Sequence, residues 1–235
     1  MTRKPADAAR ANPARAIAFH PGDTPDGGAV SLALAELRRP VVDLAPADPV
    51  IDPSVAAFMG DCPMAFRPPV VAIAGGAPIT GAAAILAALA AAEPSKLLPR
   101  RPAERAVAED WSAWIETDLV PPMMALIALR RLAPRHLPDA IEQARLVLKA
   151  RVARVEAALE DGPTLAGRWS VADMRLMAWL HRADWVGLGL GSRPALSAFA
   201  DRAYAKPRIV LALAATKRPP VILDHVILDH EGPEG

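Results

Sequence analysis

The chain has almost no cysteine and no excess of charge of either sign. Its 235 residues contain a single cysteine, Cys62, which excludes an intrachain disulfide and a multi-cysteine metal site. Such cysteine usage is typical of a reducing compartment, and we therefore predict a cytoplasmic protein. With 27 basic and 26 acidic residues, the formal net charge is only +1, which gives no field for nucleic acid or an anionic membrane. We expect the partner to be a small molecule or another protein chain.

A secretory signal and a membrane span are also missing from the pattern. Residues 1–14 begin with basic residues but have no apolar core, and we expect a flexible tail there. Residues 70–92 carry no charge and are long enough to cross a bilayer. However, Gly75, Gly76 and Pro78 interrupt this run. The interruption favours two strands and a buried helix over a membrane span.

The apolar pattern of the first part of the chain predicts a mixed α/β unit. The composition is 52% hydrophobic, which is enough for a core. Residues 45–69 are rich in proline and unsuited to regular structure. The predicted elements are a strand at 15–19, a helix at 28–37, a strand at 41–44, a short helix at 54–59, a hairpin at 70–73 and 78–79, and a helix at 82–91.

Helical periodicity alone continues beyond a proline-punctuated linker at residues 93–102. We therefore predict one domain at 15–92 and an all-helical domain at 103–215, followed by a tail at 216–235. The predicted helices of the second domain are 103–119, 121–132, 138–160, 170–186, 193–204 and 207–215.

The most complete local signal is the helix start within residues 165–173. Ser170 and Asp173 have the spacing of a capping box, in which each side chain accepts a hydrogen bond from the other residue's backbone N–H. Trp169 and Met174 occupy the positions of a hydrophobic staple. Alone, this pattern predicts only a stable helix start.

Taken together, these elements resemble the glutathione S-transferase superfamily over residues 15–215. The matching segments are 32–37 for the family's first helix, 69–71 for the entry to its third strand, 84–86 for its Ala-Ile helix, and 193–196 with 206–208 for its last helices. The resemblance implies an N-terminal thioredoxin-like domain, a C-terminal helical bundle and a homodimer. It also implies glutathione as cofactor, and conjugation or related thiol chemistry on a hydrophobic electrophile, a detoxification reaction.

In this family, a side chain near the start of the first helix holds the glutathione thiol as a thiolate. The corresponding loop here, residues 19–28, has no Tyr or Cys, and Thr24 is its only hydroxyl. Thr24 is thus one catalytic candidate, although Thr24 and Asp26 could instead serve the turn or cap the helix. His20 is the other catalytic candidate, as an acceptor of the thiol proton. It could also act with an aspartate as acid and base in a glutathione-independent lyase or isomerase. Alternatively, His20 is a structural residue whose ring is hydrogen-bonded by the backbone. Asp23 and Asp26 disfavour a neighbouring thiolate.

The resemblance assigns glutathione binding to Pro68, Pro69, Val70, Gly81 and Ala82. Pro68 precedes the position of the family's cis-proline and has no N–H to donate; Pro68–Pro69 is a candidate for a cis bond. Gly81 and Ala82 stand where the family has an acidic residue and a serine, which leaves only helix N–H groups for a carboxylate. We therefore expect weak or altered glutathione activity; the alternative is a non-catalytic protein that binds an apolar ligand or a protein partner.

Three further groups of residues have competing interpretations. Trp111, Trp114 and Met123, with the neighbouring Met124, either line an apolar acceptor pocket or belong to the core. We interpret Cys62 as an inert thiol. No metal site is predicted, because the five-residue interval in the duplicated Val-Ile-Leu-Asp-His tail points His225 and His230 apart in regular structure.

Overall fold

The computed structural model describes residues 17–22, 24–43, 68–73, 77–132 and 137–214. The N-terminal elements are β1 (Ile17–His20), α1 (Pro25–Leu37), β2 (Val41–Asp43), β3 (Val70–Ile73), β4 (Ile79–Thr80) and α2 (Ala82–Ala92). The remaining elements are α3 (Pro94–Leu97), α4 (Pro102–Trp114), α5 (Val120–Ile127), α6 (Pro138–Glu160), α7 (Val171–Leu180), α8 (Ala183–Val186), α9 (Pro194–Tyr204) and α10 (Pro207–Ala214). The predictions for the two tails, the helix at 54–59, Cys62 and the duplicated histidines lie outside the described residues.

The strands form one sheet in the order β2-β1-β3-β4. β1 is parallel to β2, which α1 connects to it, and antiparallel to β3; β3 is antiparallel to β4. In this register His20 lies opposite Val70, and Val70 lies opposite Thr80. The end of β1, the start of β3 and the end of β4 therefore meet at one sheet edge, where α1 and α2 both begin.

Helix α7 is the centre of the helical part. Every residue from Val171 to Leu180 is buried, as expected of a helix surrounded by other elements. Helix α1 packs against α7 and also against α10. Consequently, one continuous cluster of buried residues extends from β1 and α1 into the helical bundle.

The predicted capping box at the start of α7 is confirmed. Both of its halves are present, and the Ser170 N–H donates to Asp173 Oδ2 at 2.9 Å. The Ser170 hydroxyl donates to the same oxygen at 3.0 Å, and the Leu165 N–H donates to Oδ1 at 2.9 Å. Burial nevertheless raises the pKa of Asp173 to about 6, despite these hydrogen bonds.

Several predicted boundaries were wrong for identifiable reasons. Helix α1 begins at Pro25 rather than at residue 28, because proline fits the first helical position. The predicted linker at 93–102 contains the short helix α3. The predicted helix at 170–186 is divided into α7 and α8, and Gly187 ends α8 in the left-handed conformation, with a φ of 66°.

The predicted helices at 103–119 and 121–132 form one uninterrupted helical run. π-helical segments at Ile115–Leu119 and Ala128–Leu132 continue α4 and α5. Pro121 and Pro122 in α5 have no N–H to donate to the preceding turn, and the first π segment lies at that turn. Among the described residues, no helix is long and apolar enough to span a membrane.

Candidate functional site

The sheet edge defined above brings most of the predicted glutathione-binding residues together. Pro69 O accepts a hydrogen bond from the Gly81 N–H at 3.0 Å, next to the pairing of Val70 with Thr80. His20, half-buried at the end of β1, lies across the ladder from Val70. Two helix N-termini, those of α1 and α2, begin at the same edge, and helix N-termini favour anions. The two N-termini therefore favour negative charge at this edge.

Thr24 immediately precedes α1 at this edge. It is the N-cap residue of α1, yet its side chain makes no capping hydrogen bond. Its hydroxyl oxygen is buried and has no hydrogen-bond partner within the described part of the chain. The capping role considered for Thr24 is thus not filled by its side chain, and a ligand atom could bond the hydroxyl only after the atoms that cover it move aside.

Asp26 is turned away from such a ligand, toward α7. Its Oδ1 accepts a hydrogen bond from Trp179 Nε1 at 3.3 Å. Burial raises the pKa of Asp26, while the Arg175 guanidinium and the Trp179 hydrogen bond lower it. Asp26 therefore repels a nearby thiolate less than the sequence implies, because burial shifts its pKa upward and the Arg175 guanidinium offsets part of its charge. Asp23 lies outside the described residues.

Arg175 links this carboxylate to the helical part. Its side chain is only 2% exposed, on the mostly apolar α7, and it forms an ion pair with Glu116 in the first π segment. Burial lowers the pKa of Arg175, and Asp26 opposes that change. The sequence did not predict this cluster; the available signal was a single cation in a buried helix, four positions before a tryptophan that faces the same side.

At the start of α2, the residues predicted to bind glutathione offer backbone groups and no polar side chain. Ala82, Ala83 and Ala84 begin α2 after Gly81, whose φ of 82° requires a residue without a side chain. The peptide bond between Pro68 and Pro69 is trans, since the described residues contain no cis bond. The prediction of a cis bond was therefore wrong. For a peptide bond that precedes proline, the trans form is lower in free energy than the cis form by about 0.5–1 kcal/mol.

Two of the predicted apolar pocket residues, Trp111 and Trp114, pack against each other. The Trp111 and Trp114 rings meet edge to face at 5.3 Å, and the Arg154 guanidinium lies over both, at 5.2 and 4.7 Å. Met123 is 1% exposed and contributes to a cavity of about 10 Å³. These contacts agree with the core interpretation of Met123, and the acceptor-pocket role of the two tryptophans stays a prediction.

A wider groove that the sequence did not predict lies between α2 and α4. We call it the α2–α4 groove; its volume is about 640 Å³. Ala83, Leu86, Ala87 and Ala90 form its α2 wall, and the buried Arg175 contributes at its base. The groove is therefore largely apolar and suited to a hydrophobic ligand.

Comparisons with known proteins identify the fold. No protein-family model and no curated protein sequence matches the chain. Among solved structures, yeast Ure2p in complex with glutathione is 17% identical, with a TM-score of 0.71 over 86% of this chain and 95% of that one. A glutathione transferase from Methylococcus capsulatus is 24% identical (TM-score 0.67, 86% and 98% covered). The glutathione-bound theta class enzyme from Xanthomonas axonopodis pv. citri is 20% identical (TM-score 0.66, 85% and 96% covered).

Proposed function

We propose that this chain, which has the glutathione S-transferase fold of a thioredoxin-like domain followed by a helical domain, binds glutathione and uses its thiol on a hydrophobic electrophile. The observation that carries the proposal is the buried hydroxyl of Thr24, which has no hydrogen-bond partner among the described residues and lies at an edge where two helices begin. Ure2p and the Xanthomonas enzyme hold glutathione in their own structures. The reaction would be attack of the thiolate sulfur on an electrophilic carbon, which forms a carbon–sulfur bond while the leaving group on that carbon departs as an anion. The thiol proton passes to His20 and then to solvent.

His20, Thr24 and the residues that begin α2 each have a defined part in this proposal. The Thr24 hydroxyl donates to the thiolate, and the free N–H groups at the start of α2 hold a glutathione carboxylate. His20 lies beside the same edge and accepts the thiol proton. Pro68 has no N–H to donate, and Gly81 stands where the family has an acidic side chain. Glutathione binding is therefore expected to be weaker than in a site that has both groups, by on the order of 1–3 kcal/mol per missing contact.

Calorimetric titration with reduced glutathione and S-hexylglutathione tests the binding step. We expect saturable heat for both, with S-hexylglutathione binding more tightly because its alkyl chain is buried. The absorbance of the bound thiolate, followed against pH, then gives the thiol pKa. Absence of heat and of thermal stabilisation at about 10 mM glutathione, where even a millimolar Kd saturates, would contradict the proposal.

Thr24→Val separates the hydroxyl from the shape of the side chain. We expect the pKa of the bound thiol to rise in this variant while glutathione affinity changes little, since the hydroxyl contacts sulfur only. Thr164→Val is a matched control, because Thr164 also has a buried hydroxyl without a described partner but lies in the loop before α7. An unchanged thiol pKa in Thr24→Val would remove Thr24 from the catalytic role.

A non-catalytic protein that binds an apolar ligand is the second candidate, and the α2–α4 groove favours it. Its mostly alanine and leucine wall suits a hydrophobic body. Ala87→Trp would fill the groove, since Ala87 is an exposed residue of its wall. If hydrophobic ligands bind there rather than at the sheet edge, this variant abolishes their binding and leaves S-hexylglutathione binding unaffected.

We also propose a cytoplasmic homodimer, on the strength of the family resemblance. The mass in solution, measured by sedimentation equilibrium, tests the assembly. A monomer at all concentrations would contradict it.

A further inference from the structure

A second, more polar groove lies between α6 and the loop that joins α8 to α9. We call it the α6–α9 groove; its volume is about 360 Å³. Arg145 and Lys149 line it from α6, and Gly187, Ser192 and Arg193 line it from the loop. It shares no lining residue with the α2–α4 groove or with the sheet edge, so the proposed thiol chemistry does not account for it.

Cations outnumber carboxylates in this groove. Arg145, Lys149 and Arg193 face one carboxylate, Glu142, which pairs with Arg145 at 3.5 Å. Lys149 and Arg193 have no ion pair with any residue that the structure describes. The guanidinium of Arg130 lies against Gly187, where a side chain would collide with it. Three cations from two separate stretches of the chain thus line one recess, and a fourth, Arg130, lies against its wall at Gly187.

This convergence is local rather than a consequence of composition. The whole chain has 27 basic and 26 acidic residues, so neighbouring carboxylates were available in number. Like charges that converge repel one another, and the repulsion is relieved when an anion enters. Two unpaired cations match the charge of about −2 on a phosphomonoester, and an arginine fork matches its oxygens.

Two backbone N–H groups of the loop wall are already used within the protein. The N–H groups of Gly187 and Leu188 already donate to the carbonyls of Asp184 and Ala183. Recognition therefore depends on the cationic side chains. Leu146, which is 50% exposed, contributes apolar surface to the same groove, so that the body of an organic ligand can pack there.

We infer that the α6–α9 groove binds the phosphate group of a small organic phosphomonoester, with Lys149 and Arg193 as its principal contacts. Phosphate oxygens accept charge-assisted hydrogen bonds from these two side chains, and the organic body packs against Leu146. The inference is independent of glutathione binding, since the two sites have no residue in common.

Calorimetry and phosphorus NMR line widths on the 235-residue chain, at pH 8 and low ionic strength, test the inference with phenyl phosphate and inorganic phosphate. We expect saturable binding of both, tighter for phenyl phosphate, and weakening by added salt. Lys149→Glu and Arg193→Glu should each weaken phenyl phosphate binding by about tenfold or more. Arg100→Glu is the matched control, because it reverses an exposed cation between α3 and α4.

Three results would overturn the inference. The first is a linear, non-saturable titration. The second is equal weakening by Arg100→Glu, which would indicate a bulk charge effect. The third is phenyl phosphate binding that is no tighter than inorganic phosphate binding, which would contradict packing of an organic body against Leu146. If Arg193→Glu lowers the melting temperature, Lys149→Gln replaces it as the test, because Lys149 is exposed. An unchanged affinity of Lys149→Gln for phenyl phosphate would contradict the inference.

Discussion

At the scale of the residue, Asp173 is a carboxylate that the fold holds in an environment favouring its neutral form. It accepts hydrogen bonds from Leu165 and Ser170, but burial raises its pKa to about 6. A folded-state pKa above the unfolded value means that stability from this group is fully present at low pH and is lost as pH rises through about 6. The difference corresponds to about 3 kcal/mol.

Asp173→Asn removes this titration. We expect the advantage of the parent over the variant, in free energy of unfolding, to shrink as pH rises from about 4 to 8, because only the parent must deprotonate a buried group. Denaturant unfolding at several pH values measures it, with the exposed Asp201→Asn as the control for a solvated carboxylate. An advantage that grows with pH would show that the hydrogen bonds outweigh burial.

Gly27 is a helical glycine at which alanine is expected to destabilise the protein. Replacing a helical glycine by alanine usually stabilises by roughly 0.5–1 kcal/mol. At Gly27, however, a Cβ would overlap the carbonyl oxygen of Pro21, which is backbone and cannot turn aside. We therefore expect Gly27→Ala to destabilise by about 1–3 kcal/mol in denaturant unfolding. Gly162→Ala, with open space around its Cβ, is the control; equal effects would contradict the overlap.

At the scale of the element, the order of strands and helices could be predicted from apolar periodicity, because each element repeats its signal over several residues. The helix Pro138–Glu160 matches its prediction at both ends. The π segments and the break between α7 and α8 could not be predicted, since they depend on how neighbouring turns share hydrogen bonds.

The candidate site was only partly predictable, for a related reason. The sequence places His20, Thr24 and Gly81 beside elements that the sheet then brings together. It does not show that Asp26 faces Arg175, which lies about 150 residues away along the chain. Likewise, Lys149 and Arg193 meet only through the packing of α6 against the α8–α9 loop.

Helix α7 is linked to α1 and to the first π segment by the charge of Arg175, and the loss of this charge is expected to lower stability. Arg175→Met leaves the buried Asp26 carboxyl without its nearby cation and Glu116, which is 44% exposed, without its ion pair, and we expect a loss of about 1–3 kcal/mol. Since low pH lets Asp26 take up a proton, we expect a smaller loss at pH 5 than at pH 8. Urea unfolding at both values measures this, and Arg175→Met with Asp26→Asn should recover part of the loss; no recovery would contradict coupling.

At the scale of the whole molecule, the sheet and the helical part share one core. Helix α1 contacts α7 and α10, and the buried cluster is continuous through them. Separate unfolding of the sheet part would expose the buried face of α1 and leave α7 uncovered, which costs about 25 cal/mol per Å² of apolar surface. We therefore expect a single cooperative transition.

Tryptophan positions make this expectation measurable without labelling. The five tryptophans, at positions 111, 114, 169, 179 and 185, all lie beyond α3, so fluorescence reports the helical part, whereas far-ultraviolet circular dichroism reports both parts. The two midpoints should coincide in urea. Trp179→Phe removes the hydrogen bond to Asp26 across the α1–α7 contact, and it should lower both midpoints together. Midpoints that separate, in the parent or in this variant, would show that the two parts unfold independently and that the α1–α7 contact contributes little cohesion.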